Sequence, residues 1–195
     1  MATKKSTAVE VESIEALRID KRTVTLRLVG DSPLICHKWS EKAKKEMLDK
    51  QMKKAKTAKV AKDPARDYEE SLYQTEQGYG FPCVAFKSAA VGACRFTEGV
   101  KMTVARGAFH VVGELAEIEG KPSMREDMVR VGMGTADIRY RGEFKAWATT
   151  LTITYNAAAL SVEQIVNLYN LAGFGIGVGE WRPEKDGSYG RFHVE

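Results

Sequence analysis

Residues 161–195 read in the order helix, glycine-rich loop, strand, and that order constrains the fold more than any other feature of the chain. "SVEQIVNLYNLAG" (161–173) carries an apolar stripe at Ile165, Leu168, Tyr169 and Ala172. Ser161 and Gln164 have the spacing of a capping box, and Gly173 falls where a helix places its C′ residue. The next stretch, "GFGIGVGEWRPEKDGSYGRF" (173–192), holds six glycines, two arginines, one lysine and four aromatic residues. "YGRFHV" then reads as the last strand. A dinucleotide fingerprint needs the reverse order, strand then glycine turn then helix, and no G-x-x-x-x-G-K-[ST] motif is present. Nucleotide cofactors are therefore unsupported, and none is expected. Successive amides in a glycine turn can still form an anion-binding nest. Arg182 and Arg191 could add bidentate phosphate contacts, and Trp181 and Tyr189 could stack on bases. The alternative is a loop whose glycines relieve crowding and whose rings belong to the core.

Upstream, "TVTLRLVG" (23–30) alternates with Val24, Leu26 and Leu28 on one face, the pattern of a half-buried strand. "LICHKW" reads as a short link. Ser40 is placed to cap a helix, and Asp63-Pro64 breaks it before a second helical piece at "ARDYEESLYQ". The block at about 40–75 is thus a helical insertion between strands. "GYGFPCVAFKSAAVGACRF" (78–96) reads as turn, short strand and small-residue helix. Strand-like pieces follow around 102–112, 114–119, 127–133, 136–141 and 147–156, with residues 131–144 at the tip of a long β-hairpin.

At 195 residues the chain is long enough for one domain with a real core. Residues 1–22 read as a flexible arm and 23–195 as the domain. No apolar run is long enough to span a membrane, and the start lacks the apolar block of a signal peptide. Cys36, Cys83 and Cys94 lack metal-ligand spacing and read as reduced and buried in a cytoplasmic protein. The net charge of +4 is unevenly spread. Residues 38–66 carry eleven Lys or Arg against four Asp or Glu, so this segment contributes +7 and the remainder −3. Such a stripe fits a polyanion partner, and equally a solvated helix face.

The helix, the basic glycine loop and the closing strand resemble the signature of the RAMP superfamily, the RNA-binding proteins of CRISPR systems that include subunits coating guide RNA. "FPCVAFKSAAVGACR" (81–95) looks like their proline-led strand, Lys, small residues and final Arg, and "VGDSPLICHKW" (29–39) like the end of their first strand. The chain is also similar to uncharacterised proteins of bacteriophages and mobile elements. The resemblance implies an α+β fold: a ferredoxin-like or RRM-like antiparallel sheet backed by helices, with a helical insertion and a hairpin thumb at about 124–146. It matches Lys87 and Arg95 to the strand–helix motif and Gly175, Gly177, Gly179 and Arg182 to the glycine loop. His37 and Lys38 fall where the family touches RNA.

Three functions follow. The first is a non-catalytic protein that coats single-stranded RNA or DNA as a head-to-tail oligomer or filament. It would use a basic groove (Lys42, Lys45 and Lys53 of the stripe), the glycine loop, and the thumb residues Arg130, Arg139, Tyr140 and Arg141. The second, implied by the same resemblance, is a metal-independent RNA endonuclease with His37 as general base. The third is a structural or interaction protein. Among the thumb acids, Asp137 is a candidate helper in cleavage, but Glu126, Asp127 and Asp137 more simply pair with Arg125, Arg130, Arg139 and Arg141.

Overall fold

A computed structural model describes residues 18–54, 61–131 and 134–195. The expected arm falls mostly outside the described residues, and its last two positions, Lys21 and Arg22, already belong to the first strand. Among the described residues ten strands and five α-helices follow in chain order. They are β1 (Lys21–Gly30), β2 (Leu34–Cys36), α1 (Glu41–Gln51), α2 (Pro64–Glu70), β3 (Tyr73–Gln74), β4 (Tyr79–Pro82) and α3 (Cys83–Ala93). Then come α4 (Met102–Ala108), β5 (Phe109–Val111), β6 (Leu115–Glu119), β7 (Pro122–Val131), β8 (Thr135–Phe144), β9 (Ala148–Asn156), α5 (Val162–Gly175) and β10 (Phe192–Val194).

The main sheet runs β10-β1-β9-β6-β4-β3, with β5 also pairing β9, and every pairing is antiparallel. Taking β1, α3, β5/β6, β9, α5 and β10 as a β-α-β-β-α-β unit, the central order is fourth, first, third, second. That is the ferredoxin-like arrangement, an α+β fold with helices on one face of an antiparallel sheet. Period-two alternation places Leu26, Leu28, Leu151 and Ile153 on the covered face. There they meet Phe86, Ala89, Ala90 and Ala93 of α3 and Ile165, Leu168, Tyr169 and Ala172 of α5. The other face offers Thr25 and Arg27 of β1 and Thr150 and Thr152 of β9, and these central strands present no ring there.

Three sequence expectations need correction. Residues 102–108 form α4 and not strand, because Ala105 and Ala108 are buried one helical turn apart. The link at "LICHKW" contains β2, which pairs with β8. Gly173 is not the residue after α5 but lies inside it. A Cβ there would stand 1.7 Å from the carbonyl oxygen of Phe192, so this glycine lets β10 cross the helix closely. Gly177, at φ +69, ends the helix instead, its N–H bonded to the carbonyl of Ala172 at 2.8 Å.

A second sheet, β2-β8-β7, stands apart from the first and contains the long hairpin of β7 and β8. Its register runs unbroken from Pro122 opposite Phe144 to Val131 opposite Thr135.

Candidate nucleic-acid interface

Just after β2 the chain turns outward through His37, Lys38 and Trp39 into Ser40. The Ser40 hydroxyl accepts from the N–H of Ala43 and starts α1. None of the residues of α1 is buried, so the helix stands as an exposed wall. Opposite it rises β8. Between them lies a cleft of about 770 Å³, with α2 and Ser71 as its floor. Ser71 anchors the floor: its carbonyl accepts from the N–H of Lys38 at 2.9 Å, and its hydroxyl accepts from the N–H of Gly142 at 2.8 Å.

Six of the residues singled out from sequence converge on this cleft: His37, Lys38, Lys42, Asp137, Arg139 and Tyr140. Sequence reading missed Trp39, which is half exposed on its wall, and Lys62, which bonds the carboxylate of Asp137 and the carbonyl of Ile138. A tryptophan beside a Lys-rich helix was the available signal for the first. The cleft is mixed in charge, which corrects the expectation of a basic groove: Lys38, Lys42, Lys62 and Arg139 face Glu46, Asp67, Glu70 and Asp137. Lys62 and Arg139 are both held by Asp137, whose carboxyl they keep below its ordinary range, Lys62 acting most strongly. Lys38 and Lys42 form no ion pair among the described residues.

His37 sits between two charged partners. Arg139 Nη1 donates to its Nε2 at 3.2 Å, and its Nδ1 lies 3.4 Å from the carboxylate of Glu180. A guanidinium can only donate, so this contact uses Nε2 as the acceptor and leaves Nδ1 facing the carboxylate. Glu180 is held below the usual carboxylate range by its bond to His37, and further by the charges of Arg141 and Arg182.

Deeper along the hairpin, Arg141 is only 4% exposed and is tied to Asp127 at 3.2 Å and to Glu180 at 3.7 Å. Its charge is neutralised inside the fold, which corrects the expectation that it grips phosphate from the thumb surface. Arg125 binds Asp127 and Glu143, each at 2.8 Å. The pairing expected for the thumb acids thus holds for Asp127 and Asp137. Glu126 and Arg130 form no ion pair among the described residues and stand exposed.

The glycine loop is built differently from the anion nest expected. Its amides point inward: Val178 N–H bonds the carbonyl of Gly190, Glu180 N–H that of Ile35, and Gly190 N–H that of Pro33. A Cβ on Gly179 would lie 2.6 Å from the carbonyl oxygen of Ile35, so glycine here permits close packing on β2. Arg182 is closed onto Glu184 and the carbonyl of Gly179. Arg191 has a buried Nε, and Tyr189 lies under Arg125. Gly175 lies against the ring of Phe96, and Trp181 stays partly exposed. Arg95 approaches Glu184 at 3.6 Å. Lys45 and Lys53 continue the exposed lysines of α1 and its C-terminal end, whereas Lys87, beside His110 and the ring of Phe109, lies outside the cleft.

Among the described residues no three His, Cys, Asp or Glu side chains gather as metal ligands, and no helix is long and apolar enough to cross a membrane.

The fold and the cleft together define an α+β protein with a ferredoxin-like core and a side cleft walled by an inserted helix and a hairpin. No family model and no curated protein matches the sequence. Among solved structures, Cmr6 from Pyrococcus furiosus is similar over 91% of this chain and 100% of that one, at 12% identity and a TM-score of 0.48. The fold assignment rests on the strand order and not on this likeness.

Proposed function

We propose that the protein binds single-stranded nucleic acid in the cleft between α1 and the hairpin. The observation that carries this reading is the convergence there of Lys38 and Lys42, which form no ion pair among the described residues, with the rings of Trp39 and, from the far half of the chain, Tyr140. Lys38 and Lys42 are placed to grip phosphates, with Lys45 and Lys53 extending the track along α1. Trp39 and Tyr140 supply stacking faces, a sequence-tolerant contact. The inward-turned glycine loop serves as a bracket holding β2, β10 and the hairpin in place. Because the lining carries as many carboxylates as cations, binding rests on a few local contacts and not on a broad positive field. Two to four phosphate contacts give a slope of log affinity against log salt of about −1.4 to −2.8 on a single strand. Anisotropy titration of a labelled oligonucleotide in rising salt tests this: no affinity at low salt, or affinity indifferent to salt, ends the reading. The resemblance to guide-RNA-coating proteins extends it to copies following one another head to tail along the strand. Complex mass then rises in steps with strand length.

The placement of His37 between Glu180 and Arg139 favours a second reading, metal-independent RNA cleavage. Glu180 orients the ring, Nε2 is the basic atom, and Arg139 stands beside it as a cation for the phosphate. Cleavage in chelator that is lost in His37→Ala with binding retained supports it. RNA left intact after long incubation removes it while leaving the binding proposal standing.

A further inference from the structure

We infer that the outer edge of β7 pairs with the same strand of a second copy of this chain, forming a twofold dimer in which two three-stranded sheets become one. The strand is ten residues long, lies at the end of the order β2-β8-β7, and carries no bulge. Its outer edge takes no strand among the described residues. Long regular edges with unpaired N–H and C=O groups are templates for strand addition, and proteins usually blunt them with bulges, proline or inward charges. Pro122, at the first position, removes one donor, and the inward charge of Asp127 is already neutralised within the copy by Arg125 and Arg141, so the edge from Ser123 onward keeps its hydrogen-bonding potential.

The exposed face of β7 identifies the occupant. It presents Glu126, Met128 and Arg130 in alternation, with Met128 71% exposed. This face is complementary to itself when reversed. An antiparallel pair with its dyad at Met128 sets Met128 against its own copy, and sets Glu126 against Arg130 of the second copy twice over. On the opposite face the same register places Asp127 against Val129. Moving the dyad to Asp127 would oppose two carboxylates and put Met124 against Arg130. Moving it to Val129 would put Met128 against Arg130 and leave no ion pair. Cross-strand neighbours of opposite charge stabilise a pair and like charges weaken it, so one register stands out. The contact is isologous and closes at two copies. It goes beyond the nucleic-acid reading and does not depend on it.

Light scattering and sedimentation of the intact protein without nucleic acid, across micromolar concentrations, should give twice the chain mass. Glu126→Arg alone and Arg130→Glu alone should each weaken the dimer at least about tenfold, and the two together should restore it. Met128→Cys in otherwise unaltered protein should cross-link to itself under mild oxidation, since the three native cysteines are buried. It also covers the case in which a charge variant fails to fold. A monomer at every concentration, a dimer indifferent to both single exchanges, polymers that grow with concentration, or no cross-link at position 128 overturns the inference.

Discussion

The guanidinium of Arg125 lies over the ring of Tyr189, its central carbon 4.7 Å from the ring centroid, while Nη1 donates to the phenol oxygen at 3.3 Å. One residue belongs to the hairpin and the other to the loop before β10, so this contact fastens the second sheet to the end of the chain. Tyr189→Phe should keep the stacking and cost little. Tyr189→Ala should lower stability by about 1–2 kcal/mol, since the ring packing is lost along with a cation–π contact of about 0.5–1 kcal/mol. Thermal unfolding of the two variants side by side checks the difference.

Gly173 and Gly107 predict opposite outcomes for the same substitution. At Gly173 a methyl group would meet the Phe192 backbone, and Gly173→Ala should cost about 3 kcal/mol or prevent folding. Gly107 lies exposed in α4, with nothing within 4 Å of the point where a methyl group would stand, and Gly107→Ala should stabilise by up to about 0.5 kcal/mol. Denaturant midpoints decide both.

Trp39 and Trp181 separate the two candidate surfaces. Trp39→Ala should weaken single-strand binding by about 1–3 kcal/mol without lowering the melting temperature. Trp181→Ala should leave binding unchanged. Lys38→Ala and Lys42→Ala should each flatten the salt dependence by about 0.7 of a log unit. Anisotropy titrations measure all four.

Acid should weaken the bracket around His37. Glu180 and Asp137 are both held below their ordinary range, so their unfolded forms bind protons more readily than the folded ones. Their contribution to stability is fully present above the unfolded carboxylate range, about pH 4, and is lost as pH falls through the lower folded values. Glu180→Gln should therefore narrow the gap in stability between pH 7 and pH 3, as read by urea unfolding at each pH.

Burial pushes the Cys36 thiol up to about 12, and none of its surface is exposed. It should react with a thiol reagent at pH 8 only on unfolding. Labelling at low reagent that keeps pace with global unfolding in urea checks this.

Much of the core was legible in the sequence because each element obeys its own period. The alternation of Leu26 and Leu28 marked β1, and the Ser161–Gln164 capping box marked α5, with both of its reciprocal bonds present. The direction of the glycine loop was not legible. Glycine content shows that backbones come close, but not whether the neighbour is a ligand or, as at Gly179, the carbonyl of Ile35. Similarly, "MTVAR" favours strand by composition, and only the packing of Ala105 and Ala108 makes it helix. The mixed charge of the cleft was not legible because its parts are distant in sequence: Lys62 answers to Asp137, and His37 to Arg139.

Gly142 has a consequence for how the cleft works. The side chain of Leu72, two residues after α2, fills the space where a side chain at Gly142 would stand, the would-be Cβ lying 2.1 Å from a Leu72 methyl. The floor is thus keyed into the hairpin wall like a peg in a socket. Those two surfaces are locked together by packing, which makes the cleft a calliper whose aperture on that side is set by the fold itself.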